Sequence, residues 1–315
     1  MIAVVGAGAF GTALAITLAR TGSAVTLVGR DVGEIAERRE NARYLPGVAL
    51  PEVLGVADDL RSVAGDVVLL AMPMQRLAGY LGTATGQFEG KRLVACCKGV
   101  DLGTGLGPTG VIAAACPTAT PALLTGPSFA DDIASGLPTA LTLACADRSV
   151  GRTLQDQLSG PTLRLYCTTD TTGAELGGAL KNVIALASGM TIGAGLAESA
   201  RAAVITRGYA EMIRFATAQG ARAETLAGLS GLGDLVLTAT SSKSRNYTAG
   251  VAMGAGDPPA PGTVEGIATA KAVARLAKDR GIDMPLTGMV AAVVSGTLSV
   301  EDAKRALLAR PLKEE

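Results

Sequence analysis

The stretch from Met1 to Arg30 constrains this chain more than any other. Ile2 to Val5 is a short apolar run, Gly6-Ala-Gly8-Ala-Phe-Gly11 follows at once, and helical spacing carries on through Leu14 and Leu18 to Arg20. Gly22 is placed to stop that helix, and Ala24 to Val28 reads as a second strand. A strand, a tight glycine turn, a helix and another strand within about 30 residues make one crossover unit of a parallel sheet. The first glycine makes the turn, the second leaves room for backbone to approach a pyrophosphate, and the third lets the helix lie close on the strand. The helix N-terminus then faces the anion. A dinucleotide is the ligand this spacing suits, with Gly6, Gly8 and Gly11 around it.

The end of the second strand sets which dinucleotide fits, because a carboxylate there bonds the ribose 2′-hydroxyl and repels a 2′-phosphate. Here the residues are Gly29-Arg30-Asp31. A guanidinium at Arg30 suits a 2′-phosphate and so favours NADP, while Asp31 beside it leaves NAD tolerated; the plain alternative for Arg30 is a solvated surface charge.

Further strands are expected at Val67 to Met72, Leu93 to Cys97, Ala122 to Thr125, Thr139 to Ala144 and Leu163 to Cys167, most of them continuous apolar runs as doubly covered strands should be. From about Thr172 such runs are scarce and the helical period takes over. The expected architecture is therefore α/β: a Rossmann-like, mostly parallel sheet domain over residues 1–170, followed by an all-helical domain over 171–315. Thr172-Gly-Ala-Glu175 has capping-box spacing and predicts a helix start. The stretch from Asp257 to Pro261 reads as a loop between helices.

Composition excludes several partners. The 28 basic and 28 acidic residues cancel, so the electrostatic footprint of a nucleic-acid binder is missing. Met1 to Ala19 carries no charge, but it lacks a basic leader and is broken by glycines; the uncharged stretch from Leu102 to Ala130 is cut by four prolines. No membrane span is expected. Cys96, Cys97, Cys116, Cys145 and Cys167 lie in mainly apolar company without metal-ligand spacing, and read as reduced, buried thiols of a cytoplasmic protein with no metal site. Histidine is absent, so acid–base chemistry near neutral pH falls to Lys, Asp, Glu, Tyr or Cys.

Ligands of an open parallel sheet lie beyond the carboxyl ends of its strands. Lys98 follows the strand ending at Cys97, and Gly126-Pro-Ser128-Phe-Ala130 follows the next, where Ser128 and Asp131 have capping-box spacing. In the helical half, Gly177 and Gly178 lie one turn before Lys181; glycines inside a helix cost about 1 kcal/mol each and point to close approach by another body. A lysine there, short of nearby acids, would be desolvated with its pKa lowered, which suits a proton donor; an ordinary exposed lysine is the alternative. Gly231-Leu-Gly233-Asp234, with Ser244-Arg245-Asn246 after it, offers donors for a phosphate or a polar surface loop.

Five blocks in order carry a resemblance: GAGAFGTALA at the start, CCKGVD around Lys98, GPSFA at 126–130, ALKNVIALASG around Lys181, and GLGDLVLT with SRN ending at Asn246. Over essentially its whole length the chain resembles bacterial NAD(P)-dependent glycerol-3-phosphate dehydrogenases. The resemblance implies reversible reduction of dihydroxyacetone phosphate to sn-glycerol 3-phosphate, a phospholipid precursor, in a homodimer. It implies Lys181 as catalytic acid/base and Lys98 as a second lysine touching substrate and cofactor. Gly126, Ser128, Asp234, Ser244, Arg245 and Asn246 become substrate contacts, with Arg245 also near the dinucleotide. Ala9, Phe10, Arg30, Ala130, Thr263 and Glu265 fall at cofactor-contact positions. Position 9 is often Ser in such enzymes and is Ala here, leaving backbone amides to hold the cofactor phosphates. A reductase of another keto acid such as ketopantoate, or a silent dinucleotide sensor, are the other readings.

Overall fold

The computed structural model describes every residue except Ala64, Thr85, Pro261, Thr263 and 310–315. It divides into two compact units, Met1–Glu175 and Leu176–Glu315.

The first unit carries the sheet. Its strands are β1 (Ile2–Val5), β2 (Val25–Val28), β3 (Gly55–Ala57), β4 (Val67–Leu70), β5 (Arg92–Ala95), β6 (Thr120–Thr125), β7 (Thr139–Ala144) and β8 (Leu163–Thr168). They lie in the order β3-β2-β1-β4-β5-β6-β7-β8. Every pairing is parallel except β6 with β7. Helices α1 (Ala9–Arg20), α2 (Gly33–Arg38), α3 (Met74–Thr83), α4 (Pro108–Ala115), α5 (Ala130–Ala134) and α6 (Arg148–Leu158) connect them.

Side chains alternate across a strand, so a sheet covered on both faces needs both sets apolar. Val4, Leu27, Leu69 and Val94 accordingly pack on one face with Leu14 and Leu18 of α1 and Leu154 of α6. Ala3, Val5, Val68 and Leu70 pack on the other with Leu77 and Leu81 of α3 and Ile112 of α4. Strand β3, three residues long and only half-buried, has no apolar run to announce it. The expected strands at Val67 and Leu93 end two residues sooner, at Leu70 and Ala95. At the sheet edge, β8 buries Leu163 and Leu165 and exposes Arg164 and Tyr166. Cys167 is exposed on this strand, against the expectation of a buried thiol; the other four cysteines are buried, and all five are free.

The second unit is built on α7 (Thr171–Gly193), which begins where the sequence places a helix start but with different capping. Asp170 Oδ1, not Thr172, accepts the Gly173 amide at 2.8 Å. Glu175 instead accepts the amide and hydroxyl of Thr109 at 2.6 and 2.7 Å. The start of α4 draws it there, because the residue before α4 is Gly107, which has no side chain to cap it. The remaining helices are α8 (Glu198–Thr217), α9 (Ala223–Ala227), α10 (Asp234–Thr240), α11 (Arg245–Ala255), α12 (Glu265–Asp279), α13 (Pro285–Val294) and α14 (Val300–Leu308), with a π turn at Leu229–Gly233. The expected loop after Asp257 falls between α11 and α12.

From Ala179 to Met190 α7 is buried all round, as a helix at the centre of a bundle should be. Small residues bring α11 against it. A Cβ at Gly189 or Gly193 would collide with the Tyr247 or Val251 carbonyl oxygen, and one at Gly250 or Gly254 with the Leu186 or Met190 oxygen. Two glycines four apart on each helix therefore fix the register in which α7 and α11 meet.

Candidate functional site

The glycine turn takes the form its spacing requires. Gly6 has φ +114°, open to glycine without strain, and donates its amide to Val28 at 2.8 Å. A Cβ there would collide with the Ala71 carbonyl, and one at Gly11 with the carbonyl of Gly6 itself. Gly8 differs, since no atom beyond itself and its chain neighbours lies within 4 Å of where its Cβ would be. Two glycines are thus demanded by packing and the third by clear space above the turn. No side chain caps α1, and its first turn, with Ala9 and Phe10, holds no acid. This cradle fits a pyrophosphate, which the amides of that turn would hold. Arg30 is exposed just past β2, and Asp31 takes a left-handed conformation at φ 53°. That conformation is one aspartate tolerates in tight turns.

Beyond the ends of β5 and β6, three expected residues meet. Lys98 is half-buried and donates from Nζ to the Gly126 carbonyl at 3.2 Å; Ser128 Oγ donates to the same oxygen at 3.3 Å. Ser128 does not cap α5. The residue before that helix is Phe129, with no side-chain cap, and the Ser128 hydroxyl turns back to Gly126 instead. Ala130 opens α5, which is tied to the dinucleotide helix by Thr17 Oγ1 on the Ile133 carbonyl (3.1 Å) and by Arg20 on the Ala134 carbonyl (2.5 Å).

Within the helical unit the central feature is a buried ion pair. Lys181 and Asp234 are 6% and 1% exposed. Nζ donates to Asp234 Oδ1 at 2.6 Å and to Thr238 Oγ1 at 2.8 Å, and the Thr238 hydroxyl donates to Asp234 at 3.2 Å. The expectation of a lysine short of acids is therefore corrected: a carboxylate faces it, because the π turn before α10 carries Asp234 inward. That turn presses on α7, where a Cβ at Gly177 would stand 2.6 Å from the Ser230 carbonyl oxygen. Such π turns recur at functional sites. Removing one partner of a buried pair leaves an uncompensated charge, which costs about 3–5 kcal/mol.

A second network joins α7, α11 and α12. Asn246 donates to Asn182 Oδ1 at 3.0 Å and accepts the Gly266 amide at 2.9 Å, while Asn182 donates to Glu265 at 3.4 Å. Ser244 caps α11 by accepting the Tyr247 amide at 3.2 Å, and Arg245 is exposed in its first turn. Thr263 lies outside the described residues. Thr238 and Asn182 were not expected. The first stands four residues after Asp234, so helical spacing alone places it on the same face; the second is the neighbour of Lys181 on a helix buried all round.

The known proteins that the chain resembles agree along its length. The family model described as NAD-dependent glycerol-3-phosphate dehydrogenase N-terminus matches residues 1–151, and the corresponding C-terminus model matches 170–305. The chain belongs to this family. It is 60% identical over 315 residues to glycerol-3-phosphate dehydrogenase [NAD(P)+] of Paracoccus denitrificans, covering all of this chain and 99% of that one. Identity to the enzyme of the same name from Cereibacter sphaeroides is 58%, with both chains fully covered. Among solved structures, the glycerol-3-phosphate dehydrogenase of Coxiella burnetii superposes with a TM-score of 0.91 at 36% identity, covering 98% of each chain. A family oxidoreductase on this two-part plan is what the residues build.

Proposed function

We propose that this enzyme reduces dihydroxyacetone phosphate to sn-glycerol 3-phosphate with NADPH or NADH, reversibly. The buried Lys181–Asp234–Thr238 constellation carries the reading, in a chain 60% identical across its length to a named enzyme of that activity. The dinucleotide-binding domain is residues 1–170 and the helical catalytic domain is 171–315. When bound, the reduced nicotinamide supplies the hydride for the C2 carbonyl. Gly6 makes the turn while the amides of Gly8, Ala9, Phe10 and Gly11 hold the pyrophosphate, and Arg30 receives a 2′-phosphate, favouring NADPH. Ala130, Thr263 and Glu265 complete the cofactor contacts.

The proton comes from Lys181. Its ammonium gives one hydrogen to the carbonyl oxygen as alkoxide character develops there, and a positioned acid contributes about 10²–10⁴-fold. Asp234 and Thr238 orient that ammonium, and Asp234 compensates its charge in the buried site. Lys98, held on the Gly126 carbonyl beside Ser128, stabilises negative charge on the reacting oxygen. Arg245, with Ser244 and Asn246, anchors the substrate phosphate and fixes the carbonyl for attack. We further propose a cytoplasmic homodimer that supplies the glycerol phosphate backbone of phospholipids.

Initial rates of NADH and NADPH oxidation, with dihydroxyacetone phosphate and with ketopantoate, test the reading. Oxidation dependent on dihydroxyacetone phosphate and faster with NADPH is expected. Turnover of ketopantoate alone would move the substrate to the keto acids. Tight dinucleotide binding without oxidation of either would leave a sensor.

A further inference from the structure

The glycine turn is held from beneath by a residue far along the chain. Asn41 is 1% exposed, and its carboxamide nitrogen donates to the Ala7 carbonyl at 2.9 Å and to Thr12 Oγ1 at 2.8 Å. The Ala7 oxygen can only accept, so the group facing it is the amide NH2, and both its hydrogens are engaged. One side chain therefore bridges the apex of the turn and the start of α1.

Its own placement is firm. The Asn41 carbonyl accepts the amides of Tyr44 (3.2 Å) and Leu45 (2.8 Å). On either side, the Leu50 amide donates to the Arg39 carbonyl at 2.7 Å and Glu40 accepts the Gly47 amide at 2.8 Å. The Arg39 guanidinium donates to the carbonyls of Pro51 and, at 2.8 Å, Leu54. The segment 39–54 is thus a self-bonded brace that presents Asn41 to the turn.

From this geometry we infer that Asn41 is a positioning residue for the dinucleotide, acting through the Ala7–Gly8 peptide. In a trans peptide the C=O and the following N–H point in opposite directions. With the Ala7 carbonyl held on Asn41, the Gly8 N–H is aimed away from the brace. Beyond Gly8 and its chain neighbours, no atom lies within 4 Å of where a Gly8 Cβ would stand. Loss of the anchor frees that peptide to rotate, and the amide no longer converges with those of the first turn of α1. The inference rests on the reading that this turn takes NAD(P).

Calorimetric titration of wild type and Asn41→Asp with NADPH and with ADP-ribose tests it, folding being checked by circular dichroism. Asn41→Asp keeps the shape but replaces both donors with acceptors. Affinity is expected to fall about 10- to 100-fold, as removal of a buried hydrogen-bond partner implies. The factor is the same for both ligands, because they share the pyrophosphate. The KM for NADPH rises in step, whereas turnover at saturating NADPH falls less than about threefold, since the reacting groups are elsewhere. Thr12→Val, which removes one of the two acceptors, gives a smaller loss in the same direction. A folded Asn41→Asp that binds both ligands within twofold of wild type overturns the inference. If that variant does not fold, Asn41→Ser and Thr12→Val decide, and wild-type affinity in both overturns it equally. Wild type binding neither ligand would be a different failure, removing the cofactor reading itself.

Discussion

At the scale of single residues, the proposed reaction turns on an ammonium that is buried yet compensated. Lys181→Ala is expected to lower kcat by at least ~10²-fold while NADPH titrates as in wild type, because a positioned acid contributes that much; near-normal turnover would remove Lys181 from its role. Arg245 is exposed at the start of α11. Arg245→Ala should raise the KM for dihydroxyacetone phosphate, and an unchanged KM would count against its phosphate assignment. The glycines of the turn divide by what stands over them. Gly11→Ala drives a methyl into the Gly6 carbonyl, so it is expected to lower the melting temperature sharply. Gly8→Ala meets no protein atom within 4 Å. It should melt like wild type and lose dinucleotide affinity, and the reverse pattern would refute the division. Glycine spacing was visible in the sequence, but which glycine serves packing and which serves the ligand was not.

Elements are fixed by how close they come. The α7–α11 contact rests on backbone approaching backbone at Gly189, Gly193, Gly250 and Gly254. Gly250→Ala is expected to cost about 3 kcal/mol in urea unfolding, the upper end for overpacking, since backbone cannot yield as a flexible side chain does. It should also reduce turnover, because α11 carries Asn246 into the network that reaches Asn182, next to Lys181. Stability within 0.5 kcal/mol of wild type, on the order of a harmless surface change, would show that the helices part easily. The helical period in the sequence announced these helices. It did not announce the π turn at Leu229–Gly233, because an extra residue in one turn leaves the apolar spacing on either side intact. That turn nevertheless decides that Asp234 faces Lys181. Capping misled for a related reason. Thr172 and Ser128 stand at plausible spacings, yet Asp170 caps one helix and no side chain caps the other, since Asp170 takes the amide in the first case and the Gly126 carbonyl draws the Ser128 hydroxyl away in the second.

For the molecule as a whole, two inward-facing carboxylates tie stability to pH. Burial pushes Glu211 above its ordinary 4.5, outweighing the amides of Leu286 and Thr287 that pull it down. Burial likewise raises Glu175 against its bonds to Thr109. A folded pKa above the unfolded one means that the native state binds the proton more tightly. The contribution of these groups is therefore fully present below about pH 4.5 and is lost as pH rises through their folded values. Urea unfolding of Glu211→Gln across pH 4.5 to 7 should show a flatter decline with rising pH than wild type; parallel curves would remove Glu211 from the linkage. What the sequence determined alone was local: strand, glycine turn and helix in succession, the change from sheet to helices, and acid–base chemistry left to Lys, Asp, Glu, Tyr or Cys in a chain without histidine. Those follow from periodicity and residue chemistry, which act over a few positions. Tertiary structure alone decided that Asn41 braces the turn, that Asp234 and Thr238 hold Lys181, and that Cys167 is exposed. Each depends on groups far apart in the chain, or on how far along an edge strand the covered face extends, and no short-range pattern encodes either.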